Sequence, residues 1–91
     1  MRLEEQIQII DSIISKVCEI ADVSIDELRS NKKTNILVAA RVYIVRLAVK
    51  KKVVIRLIQD RINRKRGVVL HYLYEYKETF DYKMLKYKLE K

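Results

Sequence analysis

The sequence contains no proline, no tryptophan, one glycine, one cysteine and one histidine in 91 residues. A β-rich chain of this length needs several turn formers, so the missing proline and glycine exclude most sandwiches and barrels. Long helices joined by short connections are the remaining expectation. A lone Cys18 cannot build a disulfide framework or a zinc site, and its neighbours Val17 and Ile20 make it a core candidate in a reducing compartment. His71 has no second histidine and no nearby cysteine, which leaves no metal constellation. No glycine-rich phosphate loop of the GxxxxGK[ST] type occurs, and no Ser-His-Asp set or apolar pair of carboxylates is visible. The expectation is a protein without enzymatic activity, cofactor or metal. No apolar run approaches the ~20 residues of a membrane span, and Met1-Arg2-Leu3-Glu4-Glu5 has no signal-peptide character, so a cytoplasmic location is expected.

What is present is apolar residue and positive charge. A hydrophobic content of 49% supplies a core and argues against disorder. The formal charge of +8 makes anionic partners the first candidates. Its distribution is uneven: residues 1–28 sum to −5, residues 29–66 to +12 and residues 67–91 to +1. An even lysine coating would not concentrate cations in the middle of the chain.

Leu3, Ile7, Ile10, Ile14, Val17 and Ala21 recur at helical spacing and predict a first helix ending at Asp22-Val23. Ser24-Ile25-Asp26-Glu27 reads as a capping box opening a short helix over Ile25–Arg29. Thr34 or Asn35 caps the next helix, whose run from Ile36 to Val49 is apolar on nearly all sides. Its β-branched residues raise the possibility of a strand, but fourteen residues without a turn signal favour a buried central helix. Lys50-Lys51-Lys52 closes it with charge suited to the helix C-terminus. A short helix is expected from about Val53 to Ile62, with Val54 or Ile55, Ile58 and Ile62 inward and Asn63 as a left-handed stop. A further helix over 67–78 follows, with Val68, Val69, Leu70, Leu73, Tyr76, Phe80, Met84 and Tyr87 continuing an apolar stripe. Thr79 or Asp81 could cap a break in it.

Two helices joined by a short basic connection, over about 53–78, have the outline of a helix-turn-helix. Arg64, Lys65, Arg66 and Gly67 would open the second helix, where such motifs meet base edges. Arginine forks onto guanine or phosphate, and a glycine lets backbone approach phosphate closely. Lys50, Lys51, Lys52, Arg56 and Arg61 are further phosphate candidates, and these clusters, with Lys32 and Lys33, are expected to converge on one face.

The stretch Val17, Val23-Ser24-Ile25-Asp26-Glu27-Leu28-Arg29-Ser30-Asn31-Lys32-Lys33, followed by Ala40-Arg41 and Leu47, resembles the C-terminal DNA-binding domain of the replication initiator DnaA. Ile58, Ile62 and Val69-Leu70-His71 continue the resemblance, which covers roughly residues 14–78. It implies an all-α, five- or six-helix domain of the Trp-repressor/DnaA C-terminal kind, containing a helix-turn-helix and binding double-stranded DNA. It also implies that Lys32 and Lys33 form a turn reaching the minor groove. The family's Arg-Asp-His signature and its hydroxyl residues are replaced by Arg64-Lys65-Arg66-Gly67-Val68-Val69. The resemblance therefore carries fold and duplex affinity rather than the family's target site. A replication-accessory and a transcription-regulatory role both fit.

Three alternatives stay open at this stage. The acidic N-terminal helix and the Tyr-rich C-terminal helix could dock a protein, or a second copy to form a homodimer. Five tyrosines within the last twenty residues could stack single-stranded bases. A membrane surface fits less well, because the basic clusters flank a helix that reads as buried.

Overall fold

The computed structural model describes all residues from Met1 to Lys91. It is all-helical: α1 (Leu3–Ala21), α2 (Ile25–Arg29), α3 (Asn35–Lys50), α4 (Ile55–Ile62), α5 (Arg66–Tyr74) and α6 (Phe80–Glu90). The molecule measures 35 × 27 × 23 Å along its principal axes.

α3 is the central element, with the other five helices packed against it. Leu37, Ala39, Ala40, Val42, Ile44, Val45 and Ala48 are almost wholly buried on its successive faces, so tertiary burial overrides the strand preference of its valines and isoleucines. Thr34 caps it by accepting the Leu37 N–H. The Ser24 capping box forms as expected: Ser24 Oγ accepts the Glu27 N–H and Glu27 accepts the Ser24 N–H. That bond to the Ser24 backbone, first among several contacts, holds the Glu27 carboxyl below its ordinary range.

Three helices end without glycine. Asp22, Lys52 and Asn63 adopt left-handed φ of 58°, 71° and 56°. Each closes paired C-terminal bonds: Val23 N–H to the Cys18 carbonyl, Val53 N–H to Ala48 and Arg64 N–H to Gln59 are the longer loops. The start of α4 is satisfied from outside it, because buried Gln6 of α1 accepts the Val54 N–H at 2.9 Å.

The stripe expected to run through the C-terminal third changes phase. α5 ends at Tyr74, and residues 75–79 fold around Arg46 of α3. The Arg46 guanidinium donates to the carbonyls of Tyr72 and Tyr76 and to the Glu78 carboxylate, and lies over the rings of Tyr76 and Tyr82. α6 then restarts at the Thr79 cap and buries Tyr82 and Leu85, with Leu89 half-buried. Phe80, Met84 and Tyr87 face solvent instead, because the connector resets the helical register. Leu3, expected on the inner face of α1, is likewise exposed.

Candidate nucleic-acid interface

The cations of the middle segment divide into internal and outward sets. Arg41 is fully buried, with no carboxylate beside it. Its Nε donates to the Leu28 carbonyl at 2.8 Å, and its Nη2 donates to the carbonyls of Glu27 and Ser30 at 3.2 and 3.1 Å. The end of α2 and the turn after it are thereby tied to α3. Burial, then the nearby charge of Arg64, depresses the Arg41 pKa. Nη1 of Arg41 is buried without a partner. Arg46 is committed to the 75–79 connector as described, and Arg61 faces Asp11 of α1 at 3.4 Å.

The turn after α2 and the turn between α4 and α5 are fastened to one another. Asn63 Nδ2 donates to the Arg29 carbonyl at 3.0 Å, and Arg64 Nη2 donates to the Ser30 carbonyl at 2.6 Å. Arg29 in return donates to the Asp60 carbonyl at 3.4 Å. Segments more than thirty residues apart in sequence thus form one surface. Between them lies a depression lined by Asn31, Lys33, Val38, Asn63, Arg64, Lys65, Val68 and Tyr72, with no carboxylate among these residues.

Lys32 stands at the edge of this surface, 3.8 Å from Glu27, in an exposed ion pair of little energetic weight. Arg64 was expected among the first residues of the second helix. The structure instead puts it in the turn, where its N–H completes the end of α4 and its guanidinium holds the Ser30 and Asn63 carbonyls. α5 begins at Arg66, with Lys65 at the cap position and contributing no side-chain cap. Lys33, Lys65, Arg66 and Gly67 are exposed around this helix start.

Lys50, Lys51 and Lys52 do not join them. α3 separates the two groups by about 24 Å at 1.5 Å per residue. Lys51 shares a groove with Glu5, Gln8 and Ser12 of α1, and Lys50 shares one with Tyr43, Tyr82 and Glu90. Arg56 is exposed on α4, one helical turn from Asp60. The basic clusters therefore do not all meet at the start of α5: Lys50, Lys51 and Lys52 stand at the far end of α3.

Sequence reasoning missed Arg41, which has the composition of a surface residue. The signal was its position inside an otherwise apolar run. It also missed that the outward side of α5 continues past its first turn to His71 and Tyr74, both exposed. His71 Nδ1 lies 3.9 Å from the Glu75 carboxylate. No group of three or more His, Cys, Asp or Glu side chains is placed to hold a metal ion, and no helix is long and apolar enough to cross a membrane. Compared with known protein families, with curated proteins and with solved structures, the chain gives no match in any of the three.

Proposed function

We propose that this chain binds duplex DNA, with α4 and α5 acting as a helix-turn-helix of the Trp-repressor/DnaA C-terminal kind and without catalysis or cofactor. One observation carries the reading: the carboxylate-free depression in which Lys33, Arg64 and Lys65 meet beside the exposed start of α5. Lys33, Lys65 and Arg66 supply flexible charge to phosphates, while the free N–H groups at the start of α5 add a favourable dipole for an anion. Arg64 acts as the fastener that holds the two turns at a fixed separation. Lys50, Lys51, Lys52 and Arg56 contribute longer-range attraction, and Arg61 serves the contact with α1.

The test is fluorescence anisotropy with a random 20-bp duplex and the matching single strand across a salt series. The expected result is salt-sensitive binding that prefers the duplex. Combined Lys33→Ala, Lys65→Ala and Arg66→Ala substitution is expected to remove most of it. Absence of duplex binding at low salt overturns the proposal.

A second reading rests on α6. Phe80, Met84 and Tyr87 are 76%, 41% and 63% exposed at the i, i+4, i+7 spacing of one helix face. Such a strip favours a protein contact. Sedimentation of the wild type beside Phe80→Ser with Tyr87→Ser separates a self-association through α6 from a monomeric DNA binder.

A further inference from the structure

α6 buries Tyr82 and Leu85 on its inner side. Its outer side carries Phe80, Met84 and Tyr87, all exposed and each one helical turn from the next. At about 100° of rotation per residue, Lys83 and Lys88 fall along the two edges of this strip and Lys91 at its end. Lys91 Nζ lies 5.9 Å from the centre of the Tyr87 ring. Of the carboxylates on α6, Glu90 is held by the Tyr43 phenol and Asp81 is half-buried. The outer side is therefore an apolar strip bordered by lysines.

The corner between α1 and α2 has the opposite sign. Residues 19–27 hold Glu19, Asp22, Asp26 and Glu27 and neither Lys nor Arg. Ile20 and Ile25 stand among these acids, 38% and 49% exposed. The fold neutralises neither surface. Its ion pairs are Lys32 with Glu27, Arg46 with Glu78, Arg61 with Asp11 and His71 with Glu75. None uses a lysine of α6, and of the corner acids only Glu27 has a partner.

We propose that the α6 strip of one molecule docks on the α1–α2 corner of a second copy, so that the chain associates head to tail. This rests on the α6 contact favoured above, gives that contact its occupant, and is independent of duplex binding. Charge is the first argument. Lys83, Lys88 and Lys91 of one molecule meet Glu19, Asp22 and Asp26 of the next, around an apolar centre of Phe80, Met84 and Tyr87 on Ile20 and Ile25. An apolar centre with a complementary charged rim is how protein interfaces are built. Symmetry is the second. Pairing α6 with α6 about a twofold axis sets the lysine edges of two identical strips against each other, which like-charge repulsion disfavours. A contact between two different surfaces leaves one of each free on the pair, so association continues past the dimer into a ring or an open chain. The strip is 11 residues, about 16 Å, long. One such helix face falls short of the ~800 Å² per partner of a standard interface, so the association is weak and grows with concentration.

The test uses variants with one surface disabled. Phe80→Ser with Tyr87→Ser removes the strip, and Glu19→Lys with Asp26→Lys reverses the corner. Circular dichroism checks that each keeps the helix content of wild type. In sedimentation velocity over a concentration series, wild type is expected to grow past the dimer, and each variant alone to stay monomeric. Mixed in equal amounts, the two variants restore a single interface and are expected to stop at a 1:1 dimer. Lys83→Glu with Lys88→Glu, which alters exposed side chains only, is expected to be monomeric alone as well. A wild type that stays monomeric throughout overturns both this assignment and the α6 contact. A wild type that stops at a dimer, with the corner variant dimerising equally, means that α6 pairs with α6; that overturns the head-to-tail assignment and leaves the α6 contact standing.

Discussion

Gly67→Ala is the substitution whose two effects should have opposite signs. The methyl group it adds meets nothing within 4 Å, and the backbone there has no positive φ to strain. Within the folded protein the change is therefore free of clash. It restricts the unfolded chain and favours the helix, by about 0.5–1 kcal/mol in a helix interior. Gly67 is the second residue of α5, so the lower figure applies. About 0.5 kcal/mol raises the Tm of a chain this size by roughly 2–4 °C. On the proposed duplex-binding reading the same methyl group stands at the exposed start of α5, where the glycine lets the backbone approach a phosphate closely. Steric misfit of about 1–3 kcal/mol is ordinary for a methyl forced into a packed contact. That corresponds to a loss of affinity of about fivefold to more than a hundredfold. Thermal melting by circular dichroism and anisotropy titration on one preparation read both effects. A variant that melts higher and binds more weakly cannot owe its weaker binding to damage of the fold. A lower Tm refutes the reading of the start of α5. A higher Tm with unchanged affinity refutes the close approach at Gly67.

Arg41→Met leaves the Leu28 carbonyl and its neighbours without their charged donor in a buried place, and is expected to destabilise the fold by about 2–4 kcal/mol, seen as a lowered denaturation midpoint in urea. Lys52→Gly relieves a left-handed lysine at φ 71° and is expected to stabilise by about 1 kcal/mol, read by the same melt. Burial and then its bond to Glu90 push the Tyr43 phenol up to about 12, so the folded state holds that proton more tightly than the unfolded chain does. The stability this gives is complete below the ordinary phenol range near ~10 and is lost as pH rises through about 12. A tyrosinate absorbance titration should show a late-ionising phenol that Tyr43→Phe removes.

Features fixed by neighbours in the chain were legible before the fold was known. The Ser24 box, the Thr34 cap and the left-handed Asn63 each depend on a few consecutive residues, and each formed where those residues stand. The all-helical class followed in the same way from the scarcity of turn formers. Features fixed by distant partners were not legible. Arg41 and Arg46 look like surface charges, yet one finds three carbonyls across the α2–α3 turn and the other gathers the 75–79 connector. That connector shifts the register of α6 by amounts no stripe of spacings reveals, so Phe80, Met84 and Tyr87 read as core and stand outside it. The candidate site was half legible. Its residue types were plain, but α3 holds Lys50–Lys52 at one end and Lys33 at the other, and sequence clusters carry no such distance.

This division of the cations bears on how salt should act on binding. Residues 29–66 sum to +12, and a duplex meeting all of that charge would show a very steep salt dependence. Arg41, Arg46 and Arg61 are occupied within the protein, and Arg64 is largely so. The outward cations around the start of α5 are Lys32, Lys33, Lys65 and Arg66. Each phosphate neutralised on B-DNA contributes about 0.9 to the slope of log K against log salt concentration, so four contacts predict a slope of about −3.6. Engagement of Lys50, Lys51 and Lys52 as well would bring it to about −6.3. An anisotropy salt series on the wild type and on Lys50→Ala with Lys51→Ala and Lys52→Ala distinguishes the two. A wild-type slope near the smaller value, unchanged in the triple variant, locates the bound duplex at the α5 end alone. A slope near the larger value that falls in the triple variant refutes that, and means the duplex runs along the length of α3 and contacts both ends.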